Sequence, residues 1–252
     1  SLVYYMMGAA EMNLENYEAA AKRYEEYIAQ NPRDERRIER AKKYITQARF
    51  TAKMIANPVP FDPKPMSNAI NTSLPEYLPS LTADGELFIF TRQINNQEDF
   101  FFSQKIDGEW ASAKPIKHLN TPQNEGAQSI SADGRVIIFG AGNRKDSYGG
   151  FDLYISENRD GQYQRPINMG DAINTRARDR QPSLSSDGNT LYFESGRSGG
   201  QGGSDIWVST RQANGNWGRA QNLGTTVNTT ADDQSPFIHA DGKTLYFMSK
   251  GH

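Results

Sequence analysis

The sequence predicts an α+β chain of more than one domain, a short α-helical module followed by repeated four-stranded antiparallel sheets. Two observations carry this. An Asp-Gly hairpin turn recurs at Asp84-Gly85, Asp133-Gly134, Asp187-Gly188 and Asp241-Gly242, at spacings of 49, 54 and 54 residues, the period of a supersecondary unit. Residues 1–57 carry no such turns. They are rich in Ala, Glu, Lys and Arg and space their apolar residues at helical intervals.

In the helical part, Tyr17, Ala20, Ala21, Tyr24, Tyr27 and Ile28 mark one face of a helix. A further helix starts at Asp34, a good cap, with an acid in its first turn where the helix dipole favours it. It continues through Ile38, Ala41, Ile45 and Ala48 to about Ile55 and stops before Pro58. Tyr4, Met7-Gly8, Ala20, Tyr24, Tyr27 and Pro32 together resemble the tetratricopeptide signature, in which an aromatic, Leu-Gly, a small residue, an aromatic and a helix-ending Pro recur across about 34 residues. The resemblance implies a TPR-like module over residues 1–57, of a kind that grips peptides or helices; since one repeat and a helix bury their faces poorly alone, further repeats are expected before it, the alternative being a helical hairpin that packs on the sheets.

Residues 58–69 are Pro-rich and therefore extended and stiff. The run Lys64-Pro65-Met66-Ser67-Asn68-Ala69-Ile70-Asn71 parallels the stretch from Arg165-Pro166-Ile167-Asn168 to Ala172-Ile173-Asn174, the fourth strand of a repeat. This connector is therefore expected to act as a closing strand that hides the open edge of the last sheet.

Residues 70–252 hold the repeats. In the third, Gln181 to Ser185 forms a first strand, Asp187-Gly188 the turn, and Thr190 to Phe193 a β-branched and aromatic second strand. An acid lies eight residues before each turn aspartate (Glu76, Glu125, Asp179, Asp233) and an aromatic six after (Phe90, Phe139, Phe193, Phe247). The phenylalanines are expected at equivalent buried positions between adjacent sheets. Third strands begin at Asp99, Asp152 and Asp205, and a second turn with its aromatic introduces a fourth strand at Trp110, Tyr163 and Trp217. Four short antiparallel strands in about fifty residues make one blade of a β-propeller. The chain then holds three full blades and half of a fourth, and reads as part of a longer polypeptide.

These turns, followed by an apolar-aromatic strand and Gly-Gly-x-Asp-(Ile/Leu)-(Trp/Tyr), resemble the PD40 or WD40-like repeats of periplasmic bacterial proteins of the TolB type. A TPR-like module joined to such a propeller resembles Bacteroidetes outer-membrane-associated periplasmic proteins of the OmpA-family and PorE type, associated with type IX secretion. That resemblance implies a lipidated N-terminus and a peptidoglycan-binding OmpA-like domain, both outside this sequence.

Composition narrows the classes. Of 252 residues, 36% are hydrophobic and 23% charged, as in ordinary globular proteins. With 28 basic against 30 acidic residues and no basic stripe, nucleic acid and anionic membrane are poor partners. The absence of cysteine removes disulfides and thiolate chemistry, and no apolar run is long enough to span a membrane.

No catalytic residue, cofactor or metal site is expected. His118, His239 and His252 are unpaired in sequence, and no Gly-x-Ser-x-Gly element occurs. Asp99, Asp152 and Asp205 recur in register and read as structural acceptors for loop amides. The Gly-rich loops between second and third strands lack the context of phosphate cradles. Their leading basic residues, Arg92, Arg144, Arg197 and Lys250, form a candidate partner-binding rim.

The function expected is a non-enzymatic scaffold whose partners are other cell-envelope or secretion-system proteins. The alternatives are a glycan-binding or hydrolytic propeller, with Trp207 and Asp205 around a pocket, and a TolB-like translocation accessory.

Overall fold

The structure, a computed structural model, describes residues 2–252 and divides at Lys64/Pro65 into two compact units. The first holds three helices: α1 (Leu2–Asn13), α2 (Tyr17–Ala29) and α3 (Glu35–Ala56). Helix α2 packs against both others. Its buried face is the one read from the spacing, with Ala20, Ala21, Tyr24 and Tyr27 all buried. Gly8 of α1 lies directly over the Tyr24 ring, where an added Cβ would meet ring carbons at 2.9 Å. The small residue is what lets the helices approach. Tyr5 meets Tyr24 and Tyr27 edge-on at 5.3 and 5.2 Å, and burial, helped by Tyr5 and Tyr44, pushes the Tyr24 hydroxyl up to about 12. Asp34 caps α3 as expected, accepting from the Arg37 amide at 2.9 Å.

The second unit is four antiparallel sheets in chain order. The first contains β1 (Glu76–Leu81), β2 (Leu87–Ile94), β3 (Gln97–Ile106), β4 (Glu109–Trp110) and β5 (Lys114–Pro115). The second contains β6 (Glu125–Ile130), β7 (Val136–Gly142), β8 (Phe151–Arg159), β9 (Gln162–Tyr163) and β10 (Ile167–Asn168). The third contains β11 (Asp179–Leu184), β12 (Thr190–Ser195), β13 (Asp205–Thr210) and β14 (Gln221–Asn222), and the last is the pair β15 (Asp233–Ile238) and β16 (Leu245–Ser249). The fourth strand is split, since β4 and β5 both pair with β3, and β9 and β10 both pair with β8. Neighbouring sheets pack through apolar layers, Phe100 and Ile89 against Ile137 and Phe139, then Ile138 and Leu153 against Leu191 and Phe193. This arrangement is consistent with a β-propeller.

Each first strand carries one bulge. Residues Leu78, Ala127, Gln181 and Ser235, the third of β1, β6, β11 and β15, all have φ between 52° and 53°, a left-handed conformation uncommon outside glycine. At each, two residues of the first strand face one of the second. The residue facing the bulge is Phe90, Phe139, Phe193 or Phe247. The first three are at most 2% exposed. Phe139 and Phe193 lie between sheets as expected, Phe139 meeting Phe100 at 5.1 Å. Phe90 packs on Ile70, Met66 and Phe101 instead, and Phe247 is only half-buried.

In the Asp-Gly turn of each first hairpin the positive φ falls on the glycine alone (66° to 71°), and the aspartate keeps an ordinary backbone. Its side chain instead closes the turn: Asp133 Oδ1 accepts from the Ser131 hydroxyl at 2.6 Å and the Arg135 amide at 3.0 Å. Residues 58–67 belong to no strand and pair with none. The next turn does join the first sheet, because the Ala113 amide donates to the Ala69 carbonyl at 2.8 Å and Ile70 is buried.

Phe193→Ala is expected to destabilise the sheet unit by about 3 to 5 kcal/mol, and Phe247→Ala by less than half of that. Urea unfolding measures both; a loss under about 1 kcal/mol at Phe193 contradicts the packing described.

Candidate functional site

The charged residues singled out by the repeat come together, but as brackets inside the fold. Each acid at the start of a first strand receives the amide and hydroxyl of the threonine four residues earlier. Glu125 Oε2 accepts from the Thr121 amide at 3.0 Å and Oε1 from its hydroxyl at 2.5 Å. Asp179 accepts the same pair from Thr175, and Asp233 from Thr229. The other side of the carboxylate meets an arginine from the end of the second strand. Arg92 reaches Glu76 at 3.0 Å, Arg144 reaches Glu125 at 2.8 Å, and Arg197 reaches Asp179 at 2.6 Å.

Each guanidinium also donates to a carbonyl of the preceding turn: Arg92 to Ile70, Arg144 to Leu119 and Arg197 to Ile173. Each lies over two aromatic rings. Arg92 covers Phe90 and Phe101, Arg144 covers Phe139 and Tyr154, and Arg197 covers Phe193 and Trp207, all at 4.4 to 5.3 Å. Their side chains are only 10 to 11% exposed. The structure therefore places three of the four residues expected on a partner-binding rim in buried ion pairs. Lys250 alone is exposed, bonded to Asp232 at 2.7 Å.

Lys250 is also not the counterpart of the arginines. In the last sheet His252 takes their place, with Nε2 at 2.9 Å from the Val227 carbonyl and its ring 5.8 Å from Phe247. The Asp233 oxygen that an arginine would meet has no partner among the described residues.

The third-strand acids are held by loops. Asp152 accepts from the Tyr148 and Gly149 amides and the Asn168 side chain at 2.7, 3.1 and 2.8 Å. Asp205 receives the equivalent set from Gln201, Gly202 and Asn222. Asp99 follows a short hairpin with no such loop and accepts from Gln97 at 3.1 Å. Glycine is required in the longer loops because a Cβ at Gly149 or Gly202 would sit 2.3 or 1.9 Å from the carbonyl of Ala177 or Ala231 in the next unit. Each repeat closes on an asparagine, Asn120, Asn174 or Asn228, whose role the spacing alone did not disclose. Asn120, Asn174 and Asn228 each accept through Oδ1 from the amide of Phe100, Leu153 or Ile206 and donate through Nδ2 to the carbonyl of the same residue, replacing a ladder partner. Their invariant place after an aliphatic residue was the available signal.

Burial and donors compete at the acids. Burial pushes the Glu125 carboxyl up against the pull of Thr121 and Arg144. At Glu76 burial again pushes up, but Thr72 and Arg92 outweigh it and hold the group below its usual value. The turn aspartates Asp84, Asp133 and Asp187 are held low by the hydroxyls of Thr82, Ser131 and Ser185, then by the amides two residues on. Among the described residues no group of three or more His, Asp or Glu is placed to hold a metal, and no helix is long and apolar enough to cross a membrane.

No family model matches the chain, and no curated protein matches it. Among solved structures it is similar to TolB from Acinetobacter baumannii, at 19% identity and a TM-score of 0.49 over 73% of this chain and 40% of that one. It is similar also to the periplasmic gluconolactonase PpgL of Pseudomonas aeruginosa, at 16% identity and 0.41 over 69% and 49%. The tricorn protease follows at 12% identity and 0.44 over 64% and 18%. The chain thus spans less than half the length of each of these proteins.

Arg144→Met leaves a buried carboxylate without its cation and is expected to destabilise by about 3 to 5 kcal/mol, whereas Lys250→Met, at an exposed pair, stays within about 1 kcal/mol. Thermal or urea unfolding separates them; comparable small losses at both would contradict the bracket.

Acid should unfold the sheet unit. A carboxyl held below its unfolded value of 3.8 contributes stability that is complete above that value and lost as pH falls through the folded one. Glu125, pushed up, works in the opposite direction, so the turn aspartates and Glu76 carry the loss. The denaturation midpoint is expected to fall below about pH 4, less steeply in Asp187→Asn; a midpoint that rises on acidification contradicts this.

Proposed function

We propose that this chain is a non-enzymatic protein-binding scaffold of the bacterial cell envelope. The observation that carries the reading is the employment of its acids. Glu125, Asp152, Asp179 and Asp205 are all 1% exposed or less, and each is bonded by donors that recur in register from unit to unit. A carboxylate held by three or more donors, as each of these four is, serves the fold, whereas general acid–base work needs one aimed at a substrate.

The finer reading rests on resemblance in the residues. The helical unit resembles a TPR module, which binds peptides or helices, and with PD40-type repeats it resembles periplasmic, outer-membrane-associated proteins of the PorE type. On that reading the chain is a component of, or accessory to, the type IX secretion machinery. It would be linked to peptidoglycan through an OmpA-like domain outside this sequence, and residues 58–69 would close a sheet supplied from there.

The test is capture of interacting proteins from a cell-envelope extract, set beside hydrolase assays on peptide, glycoside and lactone substrates. The expected outcome is a saturable complex with an envelope protein that Asp99→Asn leaves intact, and no turnover. Turnover abolished by changing a single acid would contradict the reading.

A further inference from the structure

We propose that the outward face of helix α3 is a docking seam for an acidic, amphipathic helix of a partner protein. Arg36, Arg40, Lys43, Gln47, Phe50 and Met54 follow one another at steps of four and three residues and are all exposed. At 3.6 residues per turn they fall within about 80° of each other around the helix axis, on the side away from the buried Ala41 and Ala48. Steps that average about three and a half residues are those with which one helix presents a row of side chains to another laid along it. At 1.5 Å per residue the row is about 27 Å long.

The row divides into a basic half and an apolar half. Cations on its flanks are neutralised within the helical unit: Arg37 pairs with Asp34 at 3.5 Å, Lys42 with Glu39 at 2.7 Å, and Arg49 with Glu25. Arg36, Arg40 and Lys43 pair with no carboxylate among the described residues. Much of the excess charge of α3, seven basic residues against two acidic, therefore stands on the seam, hidden in the near-neutral balance of the whole chain. Phe50 and Met54, 62% and 42% exposed, continue the row toward the C-terminus. A surface helix ordinarily turns polar residues outward, and α3 runs on to Ala56 past its last buried side chain, Ala48.

The two halves together select the occupant. A partner helix lying antiparallel on the seam needs apolar residues in its first turns, to cover Phe50 and Met54, and carboxylates at the same steps in its later turns, to meet Lys43, Arg40 and Arg36. Guanidinium groups bind the two oxygens of a carboxylate side by side. A second copy of α3 fits less well, since an antiparallel pair sets Arg36 and Arg40 against Met54 and Phe50 and strips water from cations that gain no counter-charge. Anionic lipid also fits less well. A helix that lies in a membrane surface carries one apolar face along its length and a separate basic face, whereas here the basic and apolar residues follow one another on a single face. The proposal rests on the protein-binding reading and names the surface and the chemistry recognised; a seam that takes no acidic helix leaves capture of an envelope partner standing, and a failed capture leaves the titration standing.

The seven methionines give separate signals in a ¹H–¹³C spectrum of the chain labelled at the methionine methyl groups, and Met54→Leu assigns the signal of Met54. The titrant is an end-blocked helical peptide of Ala and Gln with one face that reads Leu, Leu, Ala, Glu, Glu, Glu at steps of four and three. The same peptide with Lys in place of Glu, and vesicles of phosphatidylcholine with phosphatidylglycerol, are titrated beside it at matched ionic strength. The Met54 signal is expected to move saturably with the Glu peptide and not with the Lys peptide, while Met169 of the sheet unit stays in place. Arg40→Glu with Lys43→Glu is expected to weaken binding of the Glu peptide by roughly tenfold or more and to bind the Lys peptide instead, at an unchanged unfolding midpoint; this exchange of preference separates a charged seam from a loss of fold. The proposal is overturned if the Glu peptide leaves Met54 unmoved, if both peptides bind equally, if the reversed variant keeps the original preference, if the vesicles bind more tightly than the Glu peptide, or if Met54 shifts with chain concentration alone.

Discussion

The sheet unit depends on one interaction, the buried bracket formed by an acid, an arginine and the carbonyl of the preceding turn. In the second sheet Glu125 begins β6, Arg144 follows β7, and the Leu119 carbonyl belongs to the turn that ends the first sheet's outer strand. One guanidinium thereby ties three segments and two sheets. Its flat face covers Phe139 and Tyr154, so its desolvation is offset by aromatic contact as well as by charge. An ion pair so enclosed adds modestly to net stability, but its disruption is severe, because the partner is left charged and dry. Such a bracket fixes which turn meets which strand more than it deepens the well.

The bulge and its phenylalanine complete the device. A left-handed residue at Leu78, Ala127, Gln181 or Ser235 adds one residue to the first strand and places the second-strand phenylalanine opposite the irregularity. The backbone strain of such a residue, about 1 kcal/mol or more, is small beside the burial of a complete phenyl ring.

Much of this was legible in the sequence because it is periodic. The turn aspartates, first-strand acids and second-strand phenylalanines keep constant spacing, and the cap at Asp34 and helix face of Tyr24 and Tyr27 follow elementary helix rules. The bracket was not legible as a bracket. Arg92, Arg144 and Arg197 lie 8, 11 and 10 residues after their turn aspartates, so the loop slides between repeats, and Lys250 rather than His252 looked like the fourth member. Exposed arginine is also the commoner state, which made a rim the natural expectation. The bulges left no trace, since Leu, Ala, Gln and Ser share no preference for the left-handed region. The pocket expected around Trp207 and Asp205 was half legible: a cavity does lie beside Trp207, yet Asp205 is consumed by its loop.

The repeated bracket is then what holds one sheet to the next. Its most direct test is a double-mutant cycle on Asp179→Asn and Arg197→Met, followed by urea unfolding. The account predicts large single losses of about 3 to 5 kcal/mol each and a double variant less damaged than their sum by about 2 kcal/mol. Single losses below about 1 kcal/mol that simply add would show that the pair is not what holds one sheet to the next.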